Sequence, residues 1–201
     1  MRILLTISDL GVVGGAERVV TNLANLFTEL GYEADILSFF GAERDIAYMP
    51  NPRVKILYKY RVSQEQFEQE KAKQMRSFWG RVYYKNFSKL VLSHWVKKHC
   101  KGYDVIISSE NLFFPYFRAY GTRYYRMEHH VFAHFYAKCL HQSRTPHRIS
   151  LFDMLIVLSA RELALWQNLH KNVCIIPNFL PTLPTQTTEY TQKIVLSVGR
   201  M

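Results

Sequence analysis

The chain has 201 residues, of which 48% are hydrophobic, 14% aromatic and 21% charged. Such a composition can bury a substantial core, and it excludes an intrinsically disordered chain, a collagen-like repeat and a disulfide-stapled mini-domain. The net charge is +10, from 26 lysines and arginines against 16 acidic residues, and this points to an anionic partner.

The first forty residues predict a βαβ unit. Ile3 to Ile7 is a continuous apolar run, Gly11 to Gly15 a glycine-bearing loop, and Val19, Leu23, Leu26, Phe27 and Leu30 recur with helical period. Gly31 stops that helix, and Glu33 to Phe39 reads as a second strand, so the sheet should be mainly parallel. Gly41 to Asn51 has no clear period and is expected to be loop. Arg53 to Tyr58 follows the Pro50 and Pro52 turn as a third strand. Phe78 to Cys100 then predicts the longest helix, with Val82, Tyr83, Phe87, Leu90, Val91 and Trp95 on a buried side. Arg81, Lys85 and Lys89 stack at i, i+4 spacing on a basic side.

Beyond Gly102, strands are expected at Tyr103 to Ser109, Thr122 to Glu128, Asp153 to Leu158 and Val173 to Ile176, with a loop and short helices over 131 to 151. Ser159 to Glu162 reads as a capping box opening a helix that carries Leu163, Leu165 and Trp166. Composition changes at Pro177 to Gln192, which holds three prolines and five threonines and reads as an interdomain linker. Residues 1–176 are thus one domain and 177–192 the linker. Residues 193–201, KIVLSVGRM, are expected to be the first strand of a truncated second domain.

Cys100, Cys139 and Cys174 form no CxxC pair and suit free thiols in a reducing, cytoplasmic compartment. No run approaches the roughly 18 apolar residues that span a bilayer, and MRILLTISDL lacks a cleavage-site pattern, so membrane contact is expected to be peripheral.

Three features can carry chemistry. The turn Ser8 to Arg18, SDLGVVGGAER, places glycines at a helix N-terminus, where unpaired N–H groups favour phosphate. It matches neither GxGxxG nor GxxxxGK[ST], so a purely structural tight turn is the competing reading. Between Lys71 and Lys101 there are nine basic residues and no acidic one, interleaved with Phe78, Trp79, Tyr83, Tyr84, Phe87 and Trp95. Either this suits an anionic bilayer, or it is a buried aromatic face backed by solvated charge. Arg118, Arg123, Arg126, Arg144 and Arg148 form a second basic cluster able to bind a phosphorylated acceptor. His130, His134, Cys139 and His141 resemble metal ligands only superficially, no full ligand set has convincing spacing, and Asp-x-Asp is absent, so no metal is expected.

GGAER at the first helix, Glu128 and His129 at a strand end, VLSARELALW, the IIPN of 175–178 and VLSVGR occur in the order seen in retaining glycosyltransferases of family 4. The chain resembles the N-terminal, acceptor-side half of such an enzyme. That resemblance implies a Rossmann-like three-layer α/β domain, one half of a GT-B fold with its active site between two domains. It further implies a nucleotide-sugar co-substrate, taken as a UDP-sugar, and no cofactor. By the same resemblance Gly14, Gly15 and Arg200 contact the donor diphosphate, for which a guanidinium is suited. His129 matches a family histidine near the transferred sugar and is assigned to positioning and electrostatics. Glu128 is either its orienting partner, an acceptor of a hydroxyl proton, or a structural carboxylate. Arg81, Lys85 and Lys89 are expected to contact membrane or acceptor. The implied function is sugar transfer to a lipid-linked or glycan acceptor in surface polysaccharide or lipopolysaccharide biosynthesis, at the inner face of the cytoplasmic membrane. The 201 residues alone are expected to be inactive. The alternative from another class is a basic α/β nucleic-acid-binding module, which no recognised motif supports.

Overall fold

The computed structural model describes residues 1–41, 46–129 and 145–179. Seven strands form one sheet: β1 (Arg2–Asp9), β2 (Glu33–Phe40), β3 (Ile56–Tyr58), β4 (Val105–Ser108), β5 (Arg123–Met127), β6 (Met154–Val157) and β7 (Val173–Ile175). Their order is β3-β2-β1-β4-β5-β6-β7, and every pairing is parallel. Both faces of β1 are covered, because Ile3, Leu5 and Ile7 alternate with Leu4 and all four are buried. Such near-continuous apolar strands need helices on both sides of the sheet.

The helices supply those layers. The helix α1 (Gly15–Glu29) packs Val20, Leu23 and Ala24 against Ile3, Leu5, Ile36, Ile107 and Ile156 on one face. It ends as expected at Gly31, whose φ of +84° is costly for any side chain. On the other face Leu92 and Val96 join Leu4, Leu37, Ile106, Tyr124 and Leu155, together with the fully buried Trp166. The fold is therefore the Rossmann-like three-layer α/β domain that the sequence predicts.

Three local expectations change. The third strand is shorter than 53–58, because Asn51 captures the preceding segment in a turn, its Oδ1 accepting from Arg53 N and its carbonyl from Val54 N. A helix that the sequence reading lacks, α2 (Gln64–Gln74), starts at a full capping box between Ser63 and Gln66. The expected long helix of 78–100 divides into α3 (Phe78–Val82), a π turn at Tyr83–Phe87 and α4 (Ser88–His99). A π turn inserts one residue into the helical count and rotates everything after it. Hence Tyr83, Phe87 and Val91 are exposed, and Leu92, Ser93 and Val96 are the buried positions. The same rotation separates Lys89, which is half-buried, from the exposed Arg81 and Lys85, so the three do not share one basic face.

Two short helices complete the described chain, α5 (Thr145–Ile149) and α6 (Ala160–Trp166). Ser159 Oγ accepts from Glu162 N at the start of α6, as the capping signal predicts. The linker beyond Phe179 and the strand placed at 193–201 lie outside the described residues.

Candidate functional site

In a parallel sheet of this order the chain turns left from β1 to β2 and right from β1 to β4, and ligands bind in the crevice outside the carboxyl ends at that switch. A cavity of about 460 Å³ opens there. Gly14 and Gly15 line one side, Ser109 to Leu112 the floor after β4, and Arg126 to His129 the other side at the end of β5. The two segments singled out in sequence, 114 residues apart, thus meet in one cleft because β1 is flanked by β4 and β4 by β5.

Gly14 is the N-cap of α1 and provides no side-chain cap, so the first amides of a 15-residue helix face the crevice with the dipole's positive end. No side chain contact would arise from a Cβ at Gly15, which leaves room for close approach of an anion. A Cβ at Gly14 would meet the Glu17 carboxylate, which therefore lies against the start of the helix. His129 is half-buried in the same wall.

Glu128 has a partner that was not considered in sequence. Its Oε1 accepts from Arg126 Nε at 2.6 Å, and both side chains are nearly inaccessible, at 4% and 2% exposed. The guanidinium also donates to the Glu110 carbonyl and to Asn111 Oδ1 at 2.8 Å. Glu110 in turn is saturated: Oε1 accepts from Thr6 and Ser108 hydroxyls, and Oε2 from the amides of Leu112 and Phe113. A buried ion pair in which each guanidinium nitrogen has a hydrogen-bond acceptor is a rigid frame. This network ties the ends of β1, β4 and β5 together beneath His129.

Glu110, Asn111 and Arg126 are therefore site-building residues that the sequence reading missed or misplaced. Arg126 and Glu128 are two apart at the end of a strand, and side chains at i and i+2 share a face, which is the signal that pairs them. Arg126 does not belong to a basic surface cluster. Arg118 donates to the Leu151 carbonyl and to Asp153, and Arg148 donates to Tyr116 Oη. These bonds tie Arg118 and Arg148 into the fold, Arg123 is exposed, and Arg144 lies outside the described residues. Arg200, His130, His134, Cys139 and His141 also lie outside them. Among the described residues no group of three or more His, Cys, Asp and Glu side chains could hold a metal.

The family model for Glycosyltransferase Family 4 matches residues 13–182. The chain belongs to glycosyltransferase family 4. Among solved structures, this family 4 chain is similar to sucrose-phosphate synthase from Thermosynechococcus elongatus, with a TM-score of 0.53 and 15% sequence identity. That alignment covers 88% of this chain and 47% of the other, so the chain spans about half the length of its structural relative, and it shows a shared fold. A second chain of sucrose-phosphate synthase from the same organism aligns with a TM-score of 0.48 and 14% identity, covering 88% of each chain. A comparison with curated protein sequences gives no match. The matched range includes Gly14, Gly15, Glu128 and His129, and so both walls of the crevice lie within the family 4 region.

Proposed function

We propose that this chain is the acceptor-side domain of a retaining glycosyltransferase that moves a sugar from a nucleotide-sugar, a UDP-sugar, to a lipid-linked or glycan acceptor. The carrying observation is that the uncapped N-terminus of α1, at Gly14 and Gly15, and His129 line one crevice at the sheet's switch point. Departure of a nucleoside diphosphate places negative charge on the phosphate oxygens, and helix amides already oriented toward them stabilise that charge without reorganisation. His129, held at the end of β5 above the Arg126–Glu128 pair, orients the transferred sugar and acceptor and takes no covalent part. Glu128 serves as a positioning residue, since Arg126 occupies its Oε1.

The acceptor belongs to surface polysaccharide or lipopolysaccharide assembly, and the enzyme works peripherally at the inner face of the cytoplasmic membrane. Exposed Phe78, Trp79, Tyr83 and Phe87 beside Arg81 and Lys85 support this reading. No helix among the described residues is long and apolar enough to cross a membrane. The test is turnover of a panel of sugar nucleotides by the full-length protein. His129→Ala should lower kcat by about 10²-fold or more, the loss typical of one preorganised electrostatic group, with unchanged thermal stability. Turnover equal to that of the unmodified enzyme would remove His129 from the site.

A further inference from the structure

A second cavity, of about 130 Å³, lies beside the crevice between α2, α4 and the end of β2. Its wall is aromatic: Phe40, Tyr60 and Phe67 pack mutually with ring centroids 4.8–5.4 Å apart, and Leu92 and Leu112 close the apolar lining. Leu112 lines both this pocket and the crevice, so the two are contiguous.

Among the described residues, one cation of that wall has no carboxylate within ion-pair distance. Lys89 Nζ donates to the Asn111 carbonyl at 2.8 Å and lies 4.5 Å from the Phe114 ring centre, whereas the neighbouring Lys71 is engaged by Glu68 at 2.8 Å. An ammonium carries three donors, and Asn111 takes one. Of the charges around it, Arg126 and Lys71 are paired with Glu128 and with Glu68, which also lines the pocket, and the Glu110 carboxylate already accepts four hydrogen bonds; Lys89 and Arg148 remain as the positive excess among the described residues. Burial and these cations hold the Lys89 ammonium down to about 8 from its ordinary value near 10.5. A bound anion would favour the charged ammonium and so offset these effects.

Asn111 joins this pocket to the catalytic frame, because its carbonyl holds Lys89 and its Oδ1 holds Arg126. We propose that the pocket is a subsite for an amphiphilic phosphomonoester, with the phosphate on Lys89 and the first carbons of an alkyl chain against Phe40, Tyr60 and Phe67. This rests on the reading of the chain as an acceptor-side domain, and it identifies the chemistry of the acceptor's anchoring end. A pocket of this size takes the head and a few carbons, with any longer tail leaving through the open side.

The experiment titrates the isotopically labelled 201-residue chain with n-hexyl phosphate, followed by amide chemical shifts, with n-hexanol and inorganic phosphate as separate arms. Hexyl phosphate should bind at least about tenfold tighter than either arm and shift the Phe67 and Leu112 amides. Lys89→Gln should weaken it about tenfold or more, the worth of a charge-assisted hydrogen bond, while Lys89→Arg retains binding and Lys97→Gln has no effect. Hexanol binding as tightly as hexyl phosphate, or equal binding by Lys89→Gln, would overturn the subsite. No donor is needed for this measurement. Failure of hexyl phosphate binding alongside intact sugar transfer sinks the subsite alone, whereas binding that survives in a full-length enzyme inert toward every donor sinks the transfer reading.

Discussion

Glu128 shows how a residue's neighbours decide its chemistry. In sequence it stands beside His129 and invites a role in proton transfer; in the fold its Oε1 is 2.6 Å from Arg126 Nε in a site closed to water. Removing one member of such a pair leaves an uncompensated buried charge, which costs about 3–5 kcal/mol. Glu128→Ala should therefore lower the free energy of unfolding by that amount in urea titration, and Arg126→Met alone should do likewise. The double variant Arg126→Met with Glu128→Leu should recover most of the loss, because no charge is then stranded. Additive losses in the double variant would refute the pairing. The i, i+2 spacing made this pair legible on a strand, but Glu110 and Asn111, held in a loop after β4, leave no periodic signal. Their roles depend on Thr6, Ser108 and Arg126, which are near only in the folded chain.

The strands were legible because their apolar runs are unbroken, and α1 because its apolar stripe ends at Gly31. By contrast α2, with the sequence QEQFEQEKAKQ, has one large apolar residue and no buried side chain. Its existence rests on the Ser63 capping box, its i, i+3 ion pairs and Phe67 packing beneath it. The π turn at Tyr83–Phe87 was also invisible, since a periodicity argument assumes a constant 3.6 residues per turn. Phe87 at its end is exposed, as are Phe78, Trp79 and Tyr83, with Trp79 77% exposed, beside Arg81 and Lys85. Each surface lysine or arginine adds on the order of 1 kcal/mol at an anionic bilayer. Flotation with vesicles containing anionic lipid should thus fall about tenfold or more for Arg81→Glu with Lys85→Glu. Phe78→Ser with Trp79→Ser should weaken binding to anionic and neutral vesicles alike. Unchanged flotation of both double variants would exclude this segment from membrane contact.

Across the whole domain, the buried titratable groups set a limit on alkaline stability. Burial pushes the Cys100 thiol up to about 12, and burial with the 2.7 Å hydrogen bond to Asp35 raises the Tyr103 phenol further. In the unfolded chain the thiol loses its proton near pH 8.5, so above that pH the unfolded state binds fewer protons than the folded one. The stabilisation from neutral Cys100 is complete below about 8.5 and is lost as pH rises toward 12. Lys89 acts in the opposite sense: its lowered value makes the folded state shed a proton first, which adds stability between about 8 and 10.5. The prediction is that Cys100→Ala flattens the alkaline limb of an unfolding-energy profile by about 1.4 kcal/mol per pH unit between pH 9 and 11. Lys89→Met should steepen it over pH 8 to 10. A profile for Cys100→Ala parallel to that of the unmodified protein would contradict the burial argument.

The family resemblance singled out Glu128 and His129 on one crevice wall; the α/β class, the strand and helix alternation that implies a parallel sheet, and the glycine turn of the other wall were written in the amino-acid order, because each rests on a pattern within a few residues. The meeting of those walls was not. It follows from the strand order β3-β2-β1-β4-β5, which sets Gly14 and His129 across a single switch point although the chain separates them by more than half its length. Only packing decided that Glu128 answers to Arg126, that Arg126 is buried in that pair, and that Lys89 parts from Arg81 and Lys85 to face an aromatic pocket. In each case the deciding contact comes from a residue distant in sequence or from a rotation of the helix, and neither is encoded in local periodicity.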